Sequence, residues 1–150
     1  MAIDHAVCPS EDEKVVLFGL LLEANARLSK NLGLLLEERC GLPLAWFEVL
    51  LQLRKSPDGR LKMNEVADAI VHSTGGTTRL IDRLEESKLV VRQHCPSDRR
   101  AIHVAITDAG NAKLDHALEV HLDYLEGIFD KNLTSAERDT MTELLSRLLS

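Results

Sequence analysis

Between Val66 and Gly110 the spacing of apolar residues changes period twice, and the rest of the chain divides around that stretch. Val66, Ala67 and Ile70 fit a short helix, starting near Met63-Asn64 and ending near Val71, that breaks at His72-Ser73. Leu80, Ile81 and Leu84 then share one face of a second helix, expected from a cap at Ser73 to about Ser87. Beyond Lys88 the period falls to two: Ile102, Val104 and Ile106 alternate with His103, Ala105 and Thr107, the pattern of a half-buried strand. Val90 to Cys95 reads as its hairpin partner, and Pro96-Ser97-Asp98-Arg99-Arg100 as a polar tip rich in turn residues.

The flanks are helical. Residues 1–10 lack periodicity and are expected to be a flexible N-terminus. Ser10 and Glu13 stand at capping-box spacing, so a helix should run from there to about Arg39, roughly 40 Å at 1.5 Å per residue. Its apolar residues, Val15 to Leu22 and then Leu28, Leu32, Leu34, Leu35 and Leu36, cover more than one stripe and require burial on several sides. A second subunit is the natural source. Gly41 ends this helix, and Pro43 opens another over Leu44 to about Lys55 that carries Phe47, Leu50, Leu51 and Leu53. Ser56-Pro57-Asp58-Gly59 is a turn, after which Arg60 to Lys62 is expected as a short strand beside the hairpin. Thr107-Asp108-Ala109-Gly110 caps a helix reaching about Asp130, and Thr134-x-x-Glu137 is a capping box for a last helix rich in leucine. The expected fold is mainly α (α+β): a winged helix-turn-helix domain over 43–107, flanked by helical dimerisation segments at 11–42 and 108–150.

Composition narrows the function. At 150 residues and 45% apolar, the chain is neither disordered nor membranous. The longest apolar run, Val15 to Leu22, is too short to span a bilayer. Asp4, Glu11, Asp12 and Glu13 stand where a secretory leader has its basic region, so a cytoplasmic protein is expected. Cys8, Cys40 and Cys95 are scattered, with no C-x-x-C pair, and imply reduced thiols rather than a disulfide framework or zinc site. The net charge of -6 is unevenly placed: residues 54–103 carry +3 and the remainder -9. A mildly basic centre in an acidic frame still steers toward phosphate.

Candidate contacts follow from the second helix of the pair and from the wing. The polar face of that helix projects Ser73, Thr74, Gly75, Gly76, Thr78 and Arg79. A Gly pair within a helix costs on the order of 1 kcal/mol per residue relative to Ala, so it needs a reason: close approach to a groove, or tight packing on the preceding helix. Thr74 and Thr78 suit phosphates or a thymine methyl, and Arg79 reaches a guanine edge. Arg83 suits a phosphate, or an ion pair with Glu86 or a wing carboxylate. In the wing, Arg99 or Arg100 suits a narrow minor groove, and Asp98 is expected to orient the Arg100 guanidinium.

Leu61-x-Met63-x-Glu65-Val66-Ala67, Ser73-x-x-x-x-Thr78-Arg79-Leu80-Ile81-Asp82-Arg83-Leu84-Glu85, Leu89-Val90-x-Arg92, Asp98-Arg99-Arg100 and Ile106-Thr107-x-x-Gly110 resemble the MarR family of bacterial regulators. The resemblance is strong over about Leu42 to Gly110, and its most specific parts are the wing arginines and the T-x-x-G that follows. It implies a homodimeric winged-helix repressor on a pseudo-palindromic operator, often released by a small phenolic or aromatic ligand. Two positions depart from the pattern. Gly75-Gly76 leaves few base-reading side chains, and Lys88 stands where glycine is usual, so the turn after the helix is expected to differ.

For a ligand, Arg27 with Trp46 and Phe47 offers a cation beside an apolar slot, unless the aromatics serve the core. Thiol sensing finds no lowered pKa or exposure in the sequence, and Cys8 is its foremost candidate. His116 and His121 lie on different faces of one helix and read as solvated; no metal and no cofactor is expected. No hydrolase, P-loop or zinc-protease motif is present, so the chain is not expected to be an enzyme. The alternatives are a winged-helix protein-interaction module without DNA affinity, and a thiol-based redox regulator.

Overall fold

The long first helix spans Glu13–Cys40 (α1) in the computed structural model, which describes residues 8–70 and 76–150. Its cap is Asp12 rather than Ser10: Asp12 Oδ1 accepts the Lys14 backbone N–H at 2.8 Å. Ser10 instead lies in a single 3₁₀ turn, Pro9–Glu11, that begins where a flexible end was expected. The fixed φ of Pro9 starts that turn three residues before the true cap, Asp12. At the other end Gly41, with φ +60°, closes α1 in the left-handed conformation.

The remaining elements are Leu44–Lys55 (α2), Arg60–Lys62 (β1), Met63–Ala69 (α3), Thr77–Glu86 (α4), Val90–Cys95 (β2), Asp98–Ile106 (β3), Asp108–Asn132 (α5) and Ser135–Leu149 (α6). The strands form one antiparallel sheet in the order β1-β3-β2, with Arg60 opposite Ala105 and Val90 opposite Ile106. Pro96 and Ser97 alone make the turn. Because Cys95 pairs with Asp98 while His94 pairs with Ile102, the register slips and Arg99 to Ala101 bulge from the ladder. The wing arginines are thus carried by an irregular strand, not by a loop at the tip.

One core joins α1, α2, α4, the sheet and α5. Leu36, Leu50, Leu53, Ile81, Leu84, Val104 and Leu114 are all 0% exposed. Ile81 and Leu84 anchor α4 as the periodicity predicts, with Leu80 half-buried beside them. Only the C-terminal half of α1 joins this core, through Leu32, Leu36 and Cys40. Its N-terminal half exposes Val15, Val16, Leu17, Phe18, Leu20 and Leu22, each more than 50%. No residue of α6 is buried, and between it and α1 lies an apolar groove of about 460 Å³ lined by Leu17, Leu21, Met141, Leu144 and Leu148 among others. No helix among the described residues is long and apolar enough to cross a membrane.

The T-x-x-G stretch has a local explanation. Thr107 caps α5 by accepting the Gly110 N–H at 3.0 Å, while its hydroxyl lies 2.7 Å from the Lys88 carbonyl and 3.0 Å from that of Leu89. A Cβ on Gly110 would stand 2.8 Å from Ile106 Cγ1 and closer still to the Leu89 carbonyl oxygen. Glycine lets α5 press against the turn that joins α4 to β2. In that turn Lys88 adopts φ +62°, the left-handed geometry a glycine would take without strain.

Candidate nucleic-acid interface

Helix α4 begins at Thr77, with Gly76 as its N-cap at φ +77°. The expected start at Ser73, with both glycines inside the helix, is therefore corrected at Gly76, which precedes the first turn. A Cβ there would meet nothing within 4 Å, so conformation rather than close packing calls for glycine. Its carbonyl accepts the first helical bond, from Leu80 at 2.9 Å. Ser73, Thr74 and Gly75 lie outside the described residues, as does the side chain of Arg99.

With Ile81 and Leu84 buried, the opposite face of α4 exposes Thr78, Arg79 and Arg83. Among the described residues neither arginine is engaged in an ion pair. The pairing weighed for Arg83 with Glu86 or a wing carboxylate does not form among them.

A neighbouring arginine behaves differently, and sequence reasoning missed it. Arg92 on β2 reaches back to α4, where its guanidinium bonds Asp82 and, at 2.9 Å, Glu85; its backbone N–H donates to Glu85 at 2.9 Å. That N–H, followed by the guanidinium, holds the Glu85 carboxyl below the usual range. The clamp ties the recognition-type helix to the wing. It also sets one positive charge against two carboxylates that would otherwise repel phosphate beside Arg79 and Arg83. The signal was available: acids three apart on the helix flank and one arginine on the adjoining strand.

In the wing, Asp98 Oδ1 accepts the backbone N–H of Arg100 at 2.9 Å. The expected bond to the Arg100 guanidinium is replaced by this main-chain contact, the bond an aspartate makes to the backbone two residues on in a turn. Arg100 itself is exposed.

The expected ligand slot does not assemble within the chain. Phe47 is 3% exposed and belongs to the core, and Trp46 packs half-buried against it. Arg27 is paired with Glu23 and lines a hollow on α1 with Leu20, Ala24 and Leu28. His116 is exposed, but His121 is not the solvated residue expected: it packs edge-on against Phe47 with ring centroids 5.2 Å apart. Burial lowers its pKa. Hydrogen bonding to Ser10 and to Ser97 lowers the thiol pKa of exposed Cys8 and of half-buried Cys95, a feature invisible in the sequence, whereas Cys40 is buried. Among the described residues no cluster of three or more His, Cys, Asp or Glu stands ready to hold a metal.

This geometry has close counterparts. A family model described as the MarR family matches residues 41–101. An HTH-type transcriptional regulator of Bacillus cereus is 31% identical over 111 residues, 74% of this chain and 72% of that protein. Sco3205, a MarR family transcriptional regulator from Streptomyces coelicolor solved in complex with DNA, superposes with a TM-score of 0.78 at 26% identity, covering 89% of this chain and 84% of that one. BpsR of Bordetella bronchiseptica, whose structure concerns regulation of its DNA binding by 6-hydroxynicotinic acid, gives a TM-score of 0.75 at 25% identity over 89% and 98% of the two chains. With a recognition helix, a basic wing, the family match and these relatives in agreement, the chain belongs to the MarR family and is a winged-helix DNA-binding transcriptional regulator.

Proposed function

We propose that this regulator acts in the cytoplasm as a homodimer on a pseudo-palindromic operator, represses from it, and is released by a small aromatic or phenolic ligand. The observation that carries the DNA reading is the division of labour among arginines: Arg92 is committed to Asp82 and Glu85 of α4, leaving Arg79 and Arg83 exposed on its outer face. Thr78 and Arg79 then enter the major groove with Ser73, Thr74, Gly75 and Gly76 at the approach, and Arg99 and Arg100 reach the adjacent minor groove. Support for the homodimer comes from the apolar N-terminal half of α1 and from Met141, Leu144 and Leu148 of α6, which nothing among the described residues covers. A dimer seated in two grooves excludes other proteins from the same stretch, which favours repression. The ligand reading leans on the likeness to BpsR. Of the residues expected to hold a ligand, Arg27 and Trp46 keep accessible surface.

The test is binding to labelled duplex from the protein's own upstream region, as a salt series, for wild type and Arg100→Ala. Binding should fall steeply with salt, and the variant should bind more weakly with a salt slope lower by about 1. Equal affinity for a scrambled duplex would sink the operator reading, and no binding to either duplex would favour a protein-interaction module.

A further inference from the structure

Where α2 ends and α5 begins, one side chain bridges the two helices. Arg54, in the last turn of α2, donates Nε to Asn111 Oδ1 at 2.8 Å, Nη2 to the Asn111 carbonyl at 2.9 Å and Nη1 to Asp115 Oδ1 at 2.7 Å. These acceptors occupy the first two turns of α5, directly after the Thr107 cap and Gly110. The winged domain passes into the helical arm at this point. Apolar packing accompanies this fork, with Leu50, Leu53, Leu114 and Ala117 fully buried in the common core and Phe47 against His121 further along. Apolar packing is non-directional and tolerates small rotations. A planar guanidinium with three donors committed to α5 does not.

We infer that Arg54 is a positioning residue for operator recognition: it sets the angle at which α5 leaves the winged domain, and so selects the half-site spacing that the dimer accepts. This rests on the homodimer reading above. The lever is long enough. Helix α5 has 25 residues, about 37 Å, so a rotation of ~5° at the joint displaces its far end by ~3 Å, close to the ~3.4 Å rise of one base pair. In a two-fold dimer both joints rotate together, and the separation of the recognition helices changes accordingly. The Arg54 side chain is 33% exposed and that of Asp115 65%, so solvent screens their attraction. The fork therefore supplies direction more than stability.

The experiment uses full-length wild type, Arg54→Ala, Arg54→Lys and Asn111→Ala. Duplexes selected by wild type from a random-sequence pool are resynthesised with one or two base pairs added or removed between half-sites. Affinities are measured beside sedimentation and thermal melts. Wild type should lose about tenfold or more for a two-base-pair change, whereas Arg54→Ala and Arg54→Lys should bind all spacings within about threefold of one another, as dimers with nearly unchanged melting. A merely structural arginine would lower melting or overall affinity and leave the spacing preference intact, and that result overturns the inference. Should Arg54→Ala fail to fold, a spacing preference retained by both Arg54→Lys and Asn111→Ala overturns it equally. A wild type that selects no paired half-sites, or that sediments as a monomer, refutes the homodimeric operator reading itself and the inference with it.

Discussion

Replacing Gly110 with Ala adds one methyl at the joint where α5 meets the turn between α4 and β2. The new Cβ would lie 2.8 Å from Ile106 Cγ1 and would overlap the Leu89 carbonyl oxygen more severely. Neither neighbour is a flexible chain end: one is backbone, and the other belongs to a strand paired on both sides. Helix α5 must therefore back away, stretching the Thr107 hydroxyl from the Lys88 and Leu89 carbonyls. Overpacking of this kind costs about 1–3 kcal/mol, and loss of the cap adds about 1 kcal/mol. Against this, Ala gains up to about 1 kcal/mol over Gly in helix propensity. The net is a destabilisation of about 1–3 kcal/mol, or a fall in Tm of roughly 3–10 °C for a chain of this length. Circular dichroism melts of the two proteins at one fixed concentration measure it, since self-association would otherwise shift the midpoint. An unchanged or raised Tm would refute the close approach, because only the propensity gain would then remain.

Three further outcomes are expected. Arg92→Ala should weaken DNA binding by about tenfold although the residue is committed to α4, because Asp82 and Glu85 are left uncompensated beside the groove; adding Asp82→Asn and Glu85→Gln should restore much of it in fluorescence anisotropy, and no restoration would argue against the charge account. Lys88→Gly should raise stability by about 0.5–1 kcal/mol in urea titrations by relieving a left-handed lysine, and a loss would show that the lysine side chain does something the backbone does not require. Burial lowers the pKa of His121, so the unfolded chain takes up the proton before the folded one as pH falls. Its contribution is complete above the ordinary histidine pKa of about 6.5 and declines below it; His121→Phe should flatten the loss of Tm between pH 7 and 5 relative to wild type, and parallel curves would exclude the group.

The elements of this protein are legible in its sequence because they follow from local periodicity and from turn chemistry. The spacing of Ile81 and Leu84, the alternation around Val104 and the capping box at Thr134 each depend on residues within a few positions of one another. So do the exposed Thr78, Arg79 and Arg83, since the face opposite a buried stripe is fixed by the helical period. What lay beyond the sequence is what distant residues do to one another. Asp82, Glu85 and Arg92 become a clamp only when β2 folds back on α4. Arg54 meets Asn111 and Asp115 across some sixty residues of chain. Phe47, whose composition allowed either a slot or a core, was assigned by the packing of α5 over α2. Helical and strand periods and helix caps are decided by neighbours along the chain, whereas the cover of an apolar side chain and the partner of a charged one are decided by which surfaces the completed fold presses together, and only the tertiary structure determines that.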